Sequence, residues 1–295
     1  MGSILGNPLN KEVLATNTTQ KFIYVYGFAR GGTNILWNIL QSHPQVVSPI
    51  KEMNQILGRK TKLPKAIQKK LISASAAEGF HKGWMTRMVN KRMAERKQAN
   101  LTHPENREQQ PGVQYTAETL TQAAICAKGI NEDYQYLPLL AATYEQLYPI
   151  GLVRDGFALC ESMVRRGFPF SFAVDTYLEI GKQLMQAEQD GQLVIRFEQM
   201  IETPFAVAES CYSHCQLTPE KLEQLRLKVK KTLQKTGEHD AAYGTENKKY
   251  WFTAETIGDL LNPDINQTQK AQLGEQDREE FGNRTLEVLE YFGYA

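Results

Sequence analysis

A chain of 295 residues that is 41% hydrophobic and 23% charged is long enough for a sizeable core and too apolar for wholesale disorder. Its 34 Lys and Arg nearly balance 33 Asp and Glu, and a net charge of +1 gives no support to nucleic-acid binding. Cys126, Cys160, Cys211 and Cys215 lack the spacing of a zinc ribbon and the density of a disulfide scaffold. With no apolar leader and no run of membrane-spanning length, the expectation is a cytoplasmic protein without a transmembrane segment.

Residues 1–20 are polar and read as a flexible N-terminal arm, followed by a single domain over 21–295. Phe22-Ile23-Tyr24-Val25-Tyr26 is a continuous apolar and β-branched run closed by Gly27, the pattern of a strand buried on both faces. Ile35, Leu36, Ile39 and Leu40 then recur at helical spacing, with Thr33 or Asn34 as cap and an end near Ser42, because Pro44 disfavours a helical His43. The stretch 52–122 is predicted mainly helical. It holds one helix over 65–77, a basic one over 84–98, and a polar loop over 101–112 marked by Pro104, Pro111 and Gly112.

Further apolar runs predict strands at 123–127, 148–153 and 193–197, alternating with helices at 137–146, 157–166 and 174–189, and a closing helix reaching Phe292. Cys211 and Cys215, four apart, share a helix face and read as core residues. Strand-helix alternation of this kind implies an α/β fold in three layers, a central parallel sheet flanked by helices. Asn-x-Thr sequons occur at Asn17, Asn100, Asn266 and Asn283 and matter only in a secreted protein.

The segment Tyr26-Gly27-Phe28-Ala29-Arg30-Gly31-Gly32-Thr33-Asn34 joins the first strand to the first helix. A glycine-rich turn at a helix N-terminus aims backbone N–H groups, and the positive end of the helix dipole, at one point in space. Thr33 and Asn34 add side-chain donors, and Arg30 a cation. Gly27 and Gly32 have the glycine spacing of a Walker A loop, but Thr33 stands where the phosphate-binding lysine belongs. The turn is therefore suited to a phosphate-like anion and poorly suited to Mg²⁺-ATP.

The segment from Tyr26 to Pro44 resembles the 5′-phosphosulfate loop of the sulfotransferase family, with Gly31 where a Ser is usual and Asn34 where a second Thr is usual. Ile150-Gly151-Leu152-Val153-Arg154-Asp155-Gly156, with Ser162 eight residues after Arg154, is similar to the family's 3′-phosphate element. There Gly156 replaces a Pro and Phe157 an Arg. Val194 to Pro204 looks like a third family segment, and Gly293-Tyr294 like the family's closing residues.

That resemblance implies a P-loop-like architecture, the cosubstrate 3′-phosphoadenylyl sulfate (PAPS), its product PAP, and a hydroxyl-bearing acceptor bound on the side of residues 52–122. Cofactor-binding residues would be Ala29, Arg30, Gly31, Gly32, Thr33, Asn34, Arg154 and Ser162, with Lys248 and Lys249 closing over the 3′-phosphate. Both late lysines also read as a solvated basic loop.

Catalytic roles would fall to Arg30 at the transferred group, Glu52 as general base and Lys128 beside the acceptor or leaving oxygen. On residue type alone Glu52 is equally an ordinary surface glutamate, and Lys128 a strand-end lysine reaching for solvent. His43, His81, His103, His214 and His239 form no metal-like grouping, so no metal is expected. Two other readings of the same loop are a P-loop nucleotide kinase and a catalytically silent nucleotide-binding protein with a sulfotransferase-like fold.

Overall fold

A computed structural model of the chain describes residues 20–49, 51–58, 64–71, 82–101, 115–218, 222–228 and 249–295. In chain order its elements are β1 (Phe22–Gly27), α1 (Thr33–Leu40), β2 (Val46–Val47), α2 (Met53–Ile56), α3 (Lys65–Leu71), α4 (Lys82–Leu101), α5 (Ala117–Gln122) and β3 (Ala124–Lys128). A 3₁₀ turn (Asn131–Tyr136) leads to α6 (Leu137–Thr143), β4 (Leu147–Val153), α7 (Gly156–Val164), α8 (Phe170–Gln189) and β5 (Leu193–Arg196). Then come α9 (Phe197–Glu202), α10 (Pro204–His214), β6 (Leu225–Lys228), β7 (Lys249–Phe252), α11 (Ile265–Lys270) and α12 (Glu275–Phe292).

Five strands form a sheet in the order β2-β3-β1-β4-β5, and β6 and β7 form a separate pair. The apolar runs are strands for the reason their composition suggests. Every residue of β1 and β3 is buried, and apart from Lys128 at the end of β3 their side chains are β-branched, aromatic or small. Among the described residues no helix is long and apolar enough to cross a membrane.

The chain packs as two compact units, each gathered from separated segments. The first takes residues up to 24, then 43–127 and 135–148. Here β2 runs parallel to β3, with Val46 opposite Ala124 and Val47 opposite Ile125. Thr116 and Thr119 form a reciprocal capping box that starts α5. Phe22 and Tyr144 stack with ring centroids 4.3 Å apart. On α4 the buried residues Met85, Val89, Met93 and Lys97 repeat every four, so this basic helix turns one face inward while Arg87 and Lys91 stay exposed. Arg92 donates from Nη1 to the Ile56 carbonyl at 3.0 Å.

The second unit takes residues 25–42, 128–134 and 149–295. Here β4 and β5 are parallel, with Ile150 opposite Leu193 and Val153 opposite Arg196. Phe28 stacks on Tyr177 of α8 at 5.2 Å, and Tyr177 contacts Phe281 of α12 at 5.3 Å, so an aromatic column ties the end of β1 to two long helices. Such aromatic pairs add about 0.5–1.5 kcal/mol each beyond the area they bury.

Gly156 opens α7 against this column. A Cβ there would lie 2.7 Å from the Tyr177 ring and 2.8 Å from Phe281, which leaves no room for a proline at that position. Asp155 caps the helix, accepting from Ala158 N at 3.1 Å. Cys211 and Cys215 are buried, and burial raises the Cys211 thiol pKa above its ordinary value.

The four strands predicted from the sequence stand within a residue or two of their expected bounds. Phe197 is the exception, because it begins α9 rather than ending β5. The expected cap of α1 shifts by one residue: Gly32, at φ 92°, is the N-cap, and neither Thr33 nor Asn34 supplies a side-chain cap. The 65–77 helix is described as far as Leu71, and the loop expected at 101–112 lies outside the described residues beyond Leu101. The region after residue 214 contains β6 and β7, strands not predicted from the sequence, antiparallel with Arg226 opposite Trp251 and Lys228 opposite Lys249.

Candidate functional site

The turn between β1 and α1 is held from three sides. Ala29 N donates to Asn131 Oδ1 at 2.8 Å, Gly31 N to the Phe28 carbonyl at 3.1 Å, and Arg154 Nη1 to the Arg30 carbonyl at 2.8 Å. Arg30 itself sits in the left-handed region at φ 69°, a conformation that costs an ordinary residue about 1–2 kcal/mol. Gly32 follows in the same region, and a Cβ there would fall 2.6 Å from Cε2 of Phe197. The first N–H groups of α1, on Gly32, Thr33 and Asn34, find no acceptor among the described residues. They are the orphan donors that make a helix N-terminus an anion site.

The Arg30 side chain turns toward α7, where its Nε donates to Ser162 Oγ at 3.2 Å. Among the described residues neither of its Nη groups makes a hydrogen bond. Burial lowers the Arg30 pKa, with Arg166 and Arg165 lowering it further and Glu161 opposing. Arg30, Arg165 and Arg166 thus lie close to one another, with Glu161 paired to Arg165 at 2.6 Å.

Arg154, at the end of β4, is buried and its guanidinium lies 4.3 Å over the Phe197 ring. Its Nε and Nη2 both donate to Asn266 Oδ1, at 2.9 and 2.7 Å, and Nη2 also donates to Gln269 Oε1. Burial lowers its pKa to about 10, with Glu198 and Asp155 acting in the opposite direction, so it is charged at neutral pH.

These groups border one cavity of about 400 Å³, within the range of about 300–1,000 Å³ usual for small-ligand sites. Its polar lining includes Arg30, Thr33, Asn34, Arg154 and Arg165. Its apolar lining includes Leu227, Leu260, Leu261, Ile265 and Phe197. The lining offers several cations and N–H donors for an anion, and aliphatic side chains for an apolar group.

The model of the sulfotransferase family matches residues 23–221, more than half of the chain. The chain belongs to the sulfotransferase family. Two solved structures are similar to it over nearly their whole length. The sulfotransferase domain of the Synechococcus PCC 7002 olefin synthase is 15% identical with a TM-score of 0.53, covering 95% of this chain and 97% of that domain. The sulfotransferase domain from the curacin biosynthetic pathway is 14% identical with a TM-score of 0.52, covering 94% of this chain and 98% of that domain. At these identities the likeness is one of fold. No curated protein matches the sequence.

Of the residues that the sequence singled out in this chain, Arg30, Gly32, Thr33, Asn34 and Arg154 border the cavity, and Ser162 is hydrogen-bonded to one of them. Ala29 and Gly31 shape the turn through their backbones. Lys128 is buried with its Nζ 5.6 Å from the Trp37 ring centroid and is not among the lining residues.

Lys249 is buried in β7 and donates from Nζ to Gln41 Oε1 at 3.1 Å, while its register partner Lys228 borders the cavity. Lys248 lies outside the described residues. Glu52 belongs to the first unit, where it is the half-buried N-cap of α2 and its carbonyl accepts from Gln55 N at 2.9 Å.

The sequence reading missed Arg165, Phe197, Lys228, Asn266 and Gln269. Arg165 had a signal, since it lies one helical turn beyond Ser162 on the same face. The others come from distant segments and carry ordinary residue types.

Proposed function

We propose that this chain transfers a sulfuryl group from PAPS to a hydroxyl-bearing acceptor. The observation that carries the reading is the meeting of two segments 132 residues apart in sequence, Arg30 Nε on Ser162 Oγ, at one cation-lined cavity. The residues fit a nucleotide bearing anions at two positions. Free N–H groups of Gly32, Thr33 and Asn34 suit the 5′-phosphosulfate. Ser162, Arg154 and Arg165 suit the 3′-phosphate, and the aliphatic wall of Leu227, Leu260 and Leu261 suits the base. PAPS would supply the sulfuryl group and a leaving phosphate oxygen.

The protein's part is electrostatic. Arg30, with its two Nη groups unengaged among the described residues, stabilises charge on the transferred group and on the leaving oxygen. Preorganisation by the Arg154–Arg30 carbonyl bond keeps that cation in place before reaction. Glu52 is assigned to removing the acceptor proton, on its position after His43-Pro44, and Lys128 to steadying the acceptor or leaving oxygen.

Calorimetry with PAP and with ATP, followed by labelled-sulfate transfer to a panel of alcohols, sugars, lipids, tyrosyl peptides and carrier-bound hydroxyls, tests the proposal. PAP binding with label transfer supports it. Mg²⁺-dependent ATP binding in preference to PAP overturns it in favour of a kinase, and PAP binding without transfer to any acceptor favours a silent binding protein.

A further inference from the structure

The guanidinium of Arg154 is held by neutral groups. Four hydrogen bonds, to Asn266 Oδ1 twice, to Gln269 Oε1 and to the Arg30 carbonyl, occupy four of the five N–H donors of the fork. All of the acceptors are amide oxygens. The nearby carboxylates of Glu198, Asp155 and Glu161 act on Arg154 through space and make their hydrogen bonds to other groups. Glu198 accepts from Asp155 N at 3.1 Å, from Tyr294 Oη at 2.6 Å and from Asn266 Nδ2. Asp155 accepts from Lys270 Nζ at 2.9 Å and from Ala158 N.

Asn266 and Gln269 are 7% and 6% exposed and lie one turn apart on α11. Two buried amides on so short a helix have no role in its own backbone. Their place in the fold is to face Arg154. A carboxylate in either position would orient the fork as well or better, but it would also cancel the charge.

We propose that Asn266 and Gln269 are positioning residues that fix Arg154 without adding a carboxylate of their own to those already near it, so that the cavity keeps its attraction for the 3′-phosphate of the nucleotide. The inference rests on the PAPS reading given above. Arg154 then acts on the bound anion by its field, by its one remaining N–H and through the Arg30 carbonyl, rather than as a bidentate clamp. It also removes Asn266 as a glycan acceptor, since its amide is enclosed between Arg154 and Glu198.

The test measures affinities of the full chain for PAP and for adenosine 5′-monophosphate, which lacks the 3′-phosphate, by calorimetry. The ratio of the two dissociation constants isolates what the 3′-phosphate contributes. Gln269→Glu sets a carboxylate against Arg154 and is expected to lower the PAP preference about tenfold, by weakening PAP more than the monophosphate. Gln269→Leu frees one donor and loosens the fork, and is expected to lower the same preference by a smaller factor. It also carries the test should Gln269→Glu fail to fold.

An unchanged ratio in the folded variants, equal weakening of both ligands, or tighter PAP binding by Gln269→Leu would overturn the proposal. The last result would mean that the amide competes with the phosphate. A wild-type chain with no preference for PAP over the monophosphate would remove the PAPS reading itself, and the inference with it. Wild-type preference with an unmoved ratio in the variants sinks the inference alone.

Discussion

Arg30 reaches across from the β1–α1 turn to donate to Ser162 Oγ at 3.2 Å, on a helix whose capping residue directly follows Arg154. Ser162 is fully buried, so its hydroxyl has no alternative partner in solvent. Replacing it by alanine leaves Arg30 Nε without an acceptor and removes a donor from the anion site. A hydrogen bond to a charged group is worth about 1.5–3 kcal/mol, so Ser162→Ala is expected to weaken PAP binding by about 10- to 100-fold. Arg30→Ala is expected to act mainly on turnover, lowering it by about 100- to 1,000-fold as for other preorganised donors. Calorimetry and single-turnover sulfate transfer separate the two effects. The opposite assignment, with Arg30→Ala abolishing binding and sparing turnover, refutes the role given to Arg30.

Gly32 is required twice, by its φ of 92° and by the Phe197 ring beside it. Alanine there costs about 1–2 kcal/mol for the left-handed backbone and about 1–3 kcal/mol for overpacking. Gly32→Ala should therefore destabilise the fold by about 2–5 kcal/mol, read from urea midpoints. Adding Phe197→Leu should recover the packing part and leave the backbone part. A double variant no more stable than Gly32→Ala would show that the ring is not the obstacle.

The parts of this protein that could be read from sequence are those in which one short segment carries the whole signal. β1 and β3 are buried throughout and β4 over its second half, and β5 has a buried Val-Ile centre, so their apolar runs stand out without any knowledge of neighbours. The Arg30 turn and the Arg154–Ser162 spacing are likewise local. β2 has two residues, Val46 and Val47, too few for a pattern. β6 reads Leu-Arg-Leu-Lys, and its partner begins at Lys249, so pairing rather than composition makes it a strand.

The same holds in the site. Asn266 and Gln269 became significant only when folding set them against Arg154, and Glu198 only when Tyr294 and Asn266 closed on it. Lys249 and Lys228 make the point in one pair. The sequence resemblance singled out the first, and the ladder register puts the second at the cavity.

Glu52 offers a test of chemistry apart from binding. It caps a four-residue helix with its backbone, so its side chain is not needed to start α2. Glu52→Gln keeps the shape and removes the basic oxygen. Turnover is expected to fall by about 100- to 10,000-fold, the range of a lost general base, while PAP affinity stays within about twofold of wild type. Turnover equal to wild type across the pH range would leave Glu52 as a helix cap and send the search for the base elsewhere.

Lys97 gives a pH-dependent prediction that lies outside the cavity. It is 1% exposed on α4 and donates from Nζ to the Ala123 carbonyl at 2.5 Å, an oxygen that also accepts from Gln20 Nε2. Burial lowers its pKa from 10.5 to about 7. Below pH 7 the ammonium is charged in both folded and unfolded chains, and the folded state bears the full cost of burying it. Between pH 7 and 10.5 the unfolded chain binds a proton that the folded chain has released, so stability rises with pH, by at most about 1.4 kcal/mol per unit.

Lys97→Met fills the same space without a charge. Gln20 remains to satisfy the Ala123 carbonyl. The variant should therefore exceed wild type in stability most at pH 6 and lose that advantage steadily toward pH 9.5. Other titrating groups cancel in the difference between the two proteins. Urea midpoints across that range measure it, and a difference independent of pH would show that Lys97 keeps its proton in the folded chain.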